Sequence, residues 1–123
     1  MKRFFILPLL LLWSEAAIST GVAGAVTILG AGTTTCGAYV KHFTDDPSEH
    51  SWEESWLAGF FSAFSISTPR VHNVVEGTDL AARELWIKNY CSKNPLNYLV
   101  DAANALIKEV AQKRASPSLA PNS

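Results

Sequence analysis

Residues 46–64 read DPSEHSWEESWLAGFFSAF, and the reading of this stretch decides the fold. Trp52, Trp56, Phe60 and Phe64 recur at every fourth position, with Leu57 and Phe61 beside them. Residues four apart share one face of a helix with 3.6 residues per turn, so the spacing predicts a long helix whose aromatic line faces the core. Gly59 interrupts that line at a cost of ~1 kcal/mol relative to alanine. Its presence predicts the close approach of another helix.

Helical signals continue on both sides. Upstream, Cys36 to Phe43 is a short apolar-rich stretch, with Thr33, Thr34 and Thr35 available as caps. Asp45-Asp46-Pro47-Ser48-Glu49 separates it from the aromatic helix. Downstream, Ser67 to Gly77 contains Pro69 and mixed polar residues and reads as an exposed connection. Thr78 or Asp79 then caps a third helix running to about Lys93. Leu80, Ile87 and Cys91 line one of its faces, with Trp86 and Tyr90 beside it. Asn94-Pro95 reads as a helix start, asparagine as cap and proline at the first helical position. Leu99, Ala103, Leu106 and Val110 form the fourth stripe, extended by Val100 and Ile107, and Lys113 and Arg114 complement the C-terminal dipole. The expected fold is all-α: a small four-helix domain over residues 26–114 with an extended N-terminal arm.

The ends read differently. Lys2 and Arg3 precede an apolar run from Phe4 to Trp13. That run is far short of the roughly 20 residues needed to span a membrane, and matches the apolar region of a signal peptide. Ala23-Gly24-Ala25 gives the small-x-small cleavage pattern, with Val26 as the expected first mature residue; Ser14-Glu15-Ala16 is a second candidate site. Residues 1–25 are therefore expected to be a signal peptide, the mature chain periplasmic or secreted, with no membrane contact after cleavage. Residues 115–123, with Pro117 and Pro121, read as a disordered tail.

Composition narrows the function. The 123 residues are 48% hydrophobic and 17% charged, with a formal net charge of −1. Such a chain buries too much to be disordered and has no cationic surplus with which to neutralise nucleic-acid phosphates. Cys36 and Cys91 are the only cysteines. In an oxidising compartment two cysteines pair without any choice of connectivity. A bridge between residues 55 positions apart restricts the unfolded chain by roughly 4 kcal/mol on the loop-entropy account.

Signals for chemistry are sparse. Gly30-Ala31-Gly32 resembles the start of a dinucleotide-binding turn, but the third glycine is replaced by Thr35 and no second strand follows. No nucleophile elbow or P-loop occurs. His50, Glu53 and Glu54 have helical spacing able to hold a metal, yet acidic residues near a helix N-terminus are favoured by its dipole alone. None of the carboxylate pairs stands in an apolar sequence setting that would raise a pKa. The expectation is a non-enzymatic protein with no catalytic residue, metal or cofactor. Asp45, Asp46, Glu49, Glu53 and Glu54 form an acidic run without lysine or arginine, a candidate docking patch for a basic protein partner.

Several segments carry a family resemblance. These are Cys36-Gly37, then Trp56 to Ser62 (WLAGFFS), then Gly77-Thr78-Asp79, then Trp86-Ile87-x-x-Tyr90-Cys91-x-x-Asn94-Pro95, then Ala102-Ala103 and Leu106. Together, over about residues 36–110, the chain resembles the Tai-type immunity proteins of type VI secretion, small exported helical proteins. The resemblance implies a periplasmic helical domain that binds and blocks a cell-wall-degrading effector, with no catalytic residues. Relatives tend to carry an asparagine where this chain has Ser65. A small helical stress chaperone of the HdeA-like kind is the alternative, and a small enzyme of unknown reaction the third.

Overall fold

The computed structural model describes residues 26–116; the expected signal peptide and residues 117–123 of the tail lie outside the described residues. After a 3-10 turn at Gly30–Thr33, four helices follow: α1 (Cys36–Asp45), α2 (Pro47–Ser67), α3 (Leu80–Lys93) and α4 (Leu99–Ala115). The fold is all-α, a four-helix domain with an N-terminal arm and one disulfide, Cys36–Cys91. The arm forms no strand. Val26 to Leu29 is coil, and Thr35 makes an isolated antiparallel bridge to Tyr98.

Each helix start has a chemical reason. A side-chain oxygen accepts an N–H that has no partner within the first turn. Thr35 Oγ1 accepts from Ala38 at 3.3 Å, Asp46 Oδ1 from Glu49 at 3.1 Å and Asp79 Oδ1 from Ala82 at 2.7 Å. Pro47 occupies the first helical position of α2, where its missing N–H costs nothing.

The fourth helix begins later than Asn94-Pro95 suggests. Asn94 closes α3 instead: its N–H reaches Tyr90 O at 3.0 Å and its Nδ2 donates to the same oxygen at 2.9 Å. Helix α4 starts at Leu99, and Asp101 Oδ2 accepts the Tyr98 N–H at 2.8 Å. Two of the four intervening residues give their carbonyls to α1. Pro95 O accepts the Gly37 N–H at 3.0 Å, and Asn97 O accepts the Cys36 N–H at 2.7 Å.

Helix α1 is central and packs against each of the other three helices. The core holds Tyr39, Ile87, Leu99 and Leu106 around the two bridged cysteines. The α4 stripe is as expected: Leu99, Ala103, Leu106 and Val110 are all buried. On α3, Ile87 and Cys91 are buried, but Leu80 is 56% exposed. Leu80 opens the first turn of α3 and lines a groove instead of joining the core.

The aromatic line on α2 does not face the core as expected. Trp52 and Phe64 are exposed, and Trp56 and Phe60 are half-buried. The buried line runs one residue later, through Glu53, Leu57 and Phe61. The aromatics instead receive the N-terminal arm. Trp56 Nε1 donates to Leu29 O at 2.8 Å, and its ring stacks on Phe60 with centroids 5.0 Å apart. The arm lies so close that a Cβ at Gly32 would collide with the Trp56 ring. Gly59 has open space around it, so no helix approaches there. The connection after α2 is also less exposed than its composition suggests, because Val74 and Val75 are buried.

This arrangement predicts opposite outcomes for two neighbouring lines on one helix. Leu57→Ala should cost about 2–5 kcal/mol, while Trp52→Ala should cost below about 1 kcal/mol, as at an ordinary surface site. Urea unfolding of the two variants measures both. The reverse order would return the aromatic line to the core.

Candidate functional site

The acidic run splits in two when the chain folds. Asp45 and Glu49 remain exposed at the α1–α2 corner, and Asp46 is occupied in capping α2. Glu53 and Glu54 turn inward. The cause is the start of α2 at Pro47, which sets its first two turns against α1 and aims positions 53 and 54 at it and at α3.

The inward pair meets a cluster of titratable side chains. His42 Nδ1 and Glu53 Oε1 are 2.8 Å apart, and the Glu53 side chain is 1% exposed. The buried Tyr39 hydroxyl donates to Glu54 Oε1 at 2.8 Å. The His50 ring lies against Tyr39 and Phe43, with centroid separations of 5.6 and 4.7 Å. From α3, Glu84 Oε1 stands 4.0 Å from His50 Nε2. Two buried atoms among the described residues have no hydrogen-bond partner, His50 Nδ1 and Glu53 Oε2.

This geometry shifts proton affinities. Burial pushes the Glu53 carboxyl above the usual carboxylate range, and the hydrogen bond and charge of His42 oppose the shift only in part. Burial also raises Glu54; the Tyr39 hydrogen bond opposes this and the facing Glu84 charge adds to it. Burial raises the Tyr39 hydroxyl in turn, reinforced by the Glu54 carboxylate. The expectation that no carboxylate stands in an apolar setting is therefore corrected at both Glu53 and Glu54. The apolar neighbours come from α1, which the local sequence around positions 53 and 54 does not show.

The metal-capable trio is also redrawn. His50 and Glu54 are joined by Glu84 of α3, and one ligand atom from each lies within 4.8 Å of the others. Glu53 is directed to His42 instead. Sequence spacing found two of the three; Glu84 is thirty residues away from Glu54 by chain and becomes a neighbour only through the packing of α3 on α1.

Beside this cluster runs an open groove of about 490 Å³ between α2, the 71–78 connection and α3. Leu57, Phe61, Val75 and Ile87 form its apolar lining, with Glu54 and Arg83 at its polar side. Ser65 pins the connection: its hydroxyl donates to Phe61 O at 2.8 Å and accepts the Val74 N–H at 3.1 Å. The residue that departs from the resembled pattern thus holds the turn by hydrogen bonds of its own.

The segments that carry the resemblance serve architecture. Ile87 and Cys91 are buried, Asn97 Nδ2 donates to the Tyr90 hydroxyl at 2.9 Å, and Gly37 is bonded to Pro95. Comparison with protein-family models, with curated proteins and with solved structures finds no match.

The buried carboxyl at Glu53 has a measurable consequence. Its proton is held more tightly in the folded than in the unfolded chain. Its contribution to stability is therefore fully present below the ordinary value of 4.5 and is lost as pH rises through the raised folded value. Wild-type protein should lose stability relative to Glu53→Gln as pH rises from about 5 upward. Melting temperatures of both proteins across that range check this; parallel profiles would contradict it.

Proposed function

We propose that this chain is an exported, non-enzymatic binding protein with an immunity-like role, blocking a basic cell-wall-degrading hydrolase. The observation that carries the reading is the α1–α2 corner. Asp45 ends α1, whose first residue is covalently tied to α3, and Glu49 projects beside it from the first turn of α2. A rigid charged surface loses little entropy on association and steers an oppositely charged partner. The disulfide and the small-x-small motif before Val26 support export. No helix among the described residues is long and apolar enough to cross a membrane.

The stress-chaperone reading has one observation in its favour: Ile66 and Leu80, both exposed, flank an apolar groove. Charge chemistry opposes it. The raised carboxyls Glu53 and Glu54 strengthen the fold as pH falls, so these groups do not release the structure in acid.

The test is charge reversal at the corner. Hydrolases captured on the wild-type chain from a periplasmic extract are purified and assayed for inhibition of cell-wall digestion. Asp45→Lys combined with Glu49→Lys should slow association with the inhibited hydrolase on the order of 10-fold at low salt, and less at high salt. Capture of no hydrolase that the chain inhibits, or association unchanged by the reversal, would overturn the reading.

A further inference from the structure

We propose that His50, Glu54 and Glu84 form a binding site for a divalent transition-metal ion of the Zn2+ class, joining α2 to α3. One ligand atom from each residue lies within 4.8 Å of the others, and all three side chains are half-buried. His50 and Glu54 are four apart and share one face of α2; Glu84 comes from α3, which makes no close packing of its own with α2. One imidazole and two carboxylates are a donor set for a borderline cation, leaving a fourth position for solvent.

The surroundings are those of a built site. The Tyr39 hydroxyl, fully buried, holds Glu54 Oε1 at 2.8 Å and leaves Oε2 free to ligate. Tyr39 and Phe43 hold the His50 ring, whose Nε2 is 4.0 Å from Glu84 Oε1. The two buried atoms without partners complete the pattern. A histidine that ligates through Nε2 must donate its Nδ1–H, and the usual acceptor is a carboxylate. His50 Nδ1 is such an orphaned donor, and Glu53 Oε2, on a side chain 1% exposed and one helical turn along α2, is an orphaned acceptor.

Local charge points the same way. Glu54 and Glu84 repel each other across the site. Arg83, whose charge offsets part of this repulsion at Glu54, gives its Nη1 to Thr78 O at 3.0 Å. Adjacent ligands on a tetrahedral ion with bonds of about 2.0–2.1 Å stand roughly 3.3 Å apart. The half-exposed Glu84 side chain can rotate to close the remaining gap.

The experiment is calorimetric titration of the disulfide-intact mature protein with Zn2+ alone, paired with its melting temperature. One ion should bind per chain and raise the melting temperature. Glu84→Gln, which breaks no hydrogen bond, should weaken binding by at least about 10-fold and remove the thermal shift; Glu53→Gln should weaken it about 10-fold through His50. His72→Gln, which lies outside the trio, should leave binding unchanged. Three results would overturn the site: absence of stoichiometric binding, binding indifferent to Glu84→Gln, or binding lost with His72→Gln. Circular dichroism confirms that each variant is folded before its titration is read.

Discussion

The fastening of α1 to the far end of α3 is the constraint from which the other features follow. Cys36, the first residue of α1, is bridged to Cys91 with Cα atoms 4.5 Å apart. Three backbone hydrogen bonds reinforce the same seam. The Cys36 and Gly37 N–H groups donate into the α3–α4 turn at Asn97 and Pro95, and the Leu99 N–H donates back to Thr34 at 2.8 Å. These donors lie at helix starts, where no intrahelical acceptor exists. The seam therefore satisfies groups that would otherwise be costly to bury. It also places α1 between α2 and α3, and the packing of α2 depends on that placement.

Helix α2 inherits its unusual chemistry from this frame. With α1 fixed, the first turns of α2 must lie against Tyr39, His42 and Phe43. Positions 53 and 54 are carboxylates, so burial brings charge into an apolar wall. His42 and Tyr39 each satisfy one oxygen. The remaining polar atoms and Glu84 are left in an arrangement that is expensive without a cation or a proton. With α1 packed on both, α2 and α3 stand apart and a groove opens between them.

Much of the fold was legible in the sequence because helix ends and apolar stripes are local signals. The α4 stripe, the Thr35 cap and the lone cysteine pair can all be read without tertiary information. The phase of α2 cannot. Glu53 interrupts the line Glu53–Leu57–Phe61 with a charge, while Trp52, Trp56, Phe60 and Phe64 form an unbroken aromatic line one residue earlier. Hydrophobicity alone selects the wrong line, because the burial of Glu53 depends on His42 from another helix. Asn94-Pro95 misleads for a related reason: Asn94 closes α3, and the Pro95 carbonyl serves Gly37 of α1, a partner distant along the chain. The candidate site was half legible. His50 and Glu54 share a helical face that spacing reveals, whereas Tyr39 and Glu84 reach it only through the seam.

The central claim is that the Cys36–Cys91 bridge fixes α1 against α3 and so sets the fold. Urea unfolding of the oxidised and the reduced protein, followed by circular dichroism, tests it most directly. The account predicts that reduction costs about 4 kcal/mol, a large share of a typical total of about 5–15 kcal/mol. Unfolding at the same urea concentration in both states would contradict it.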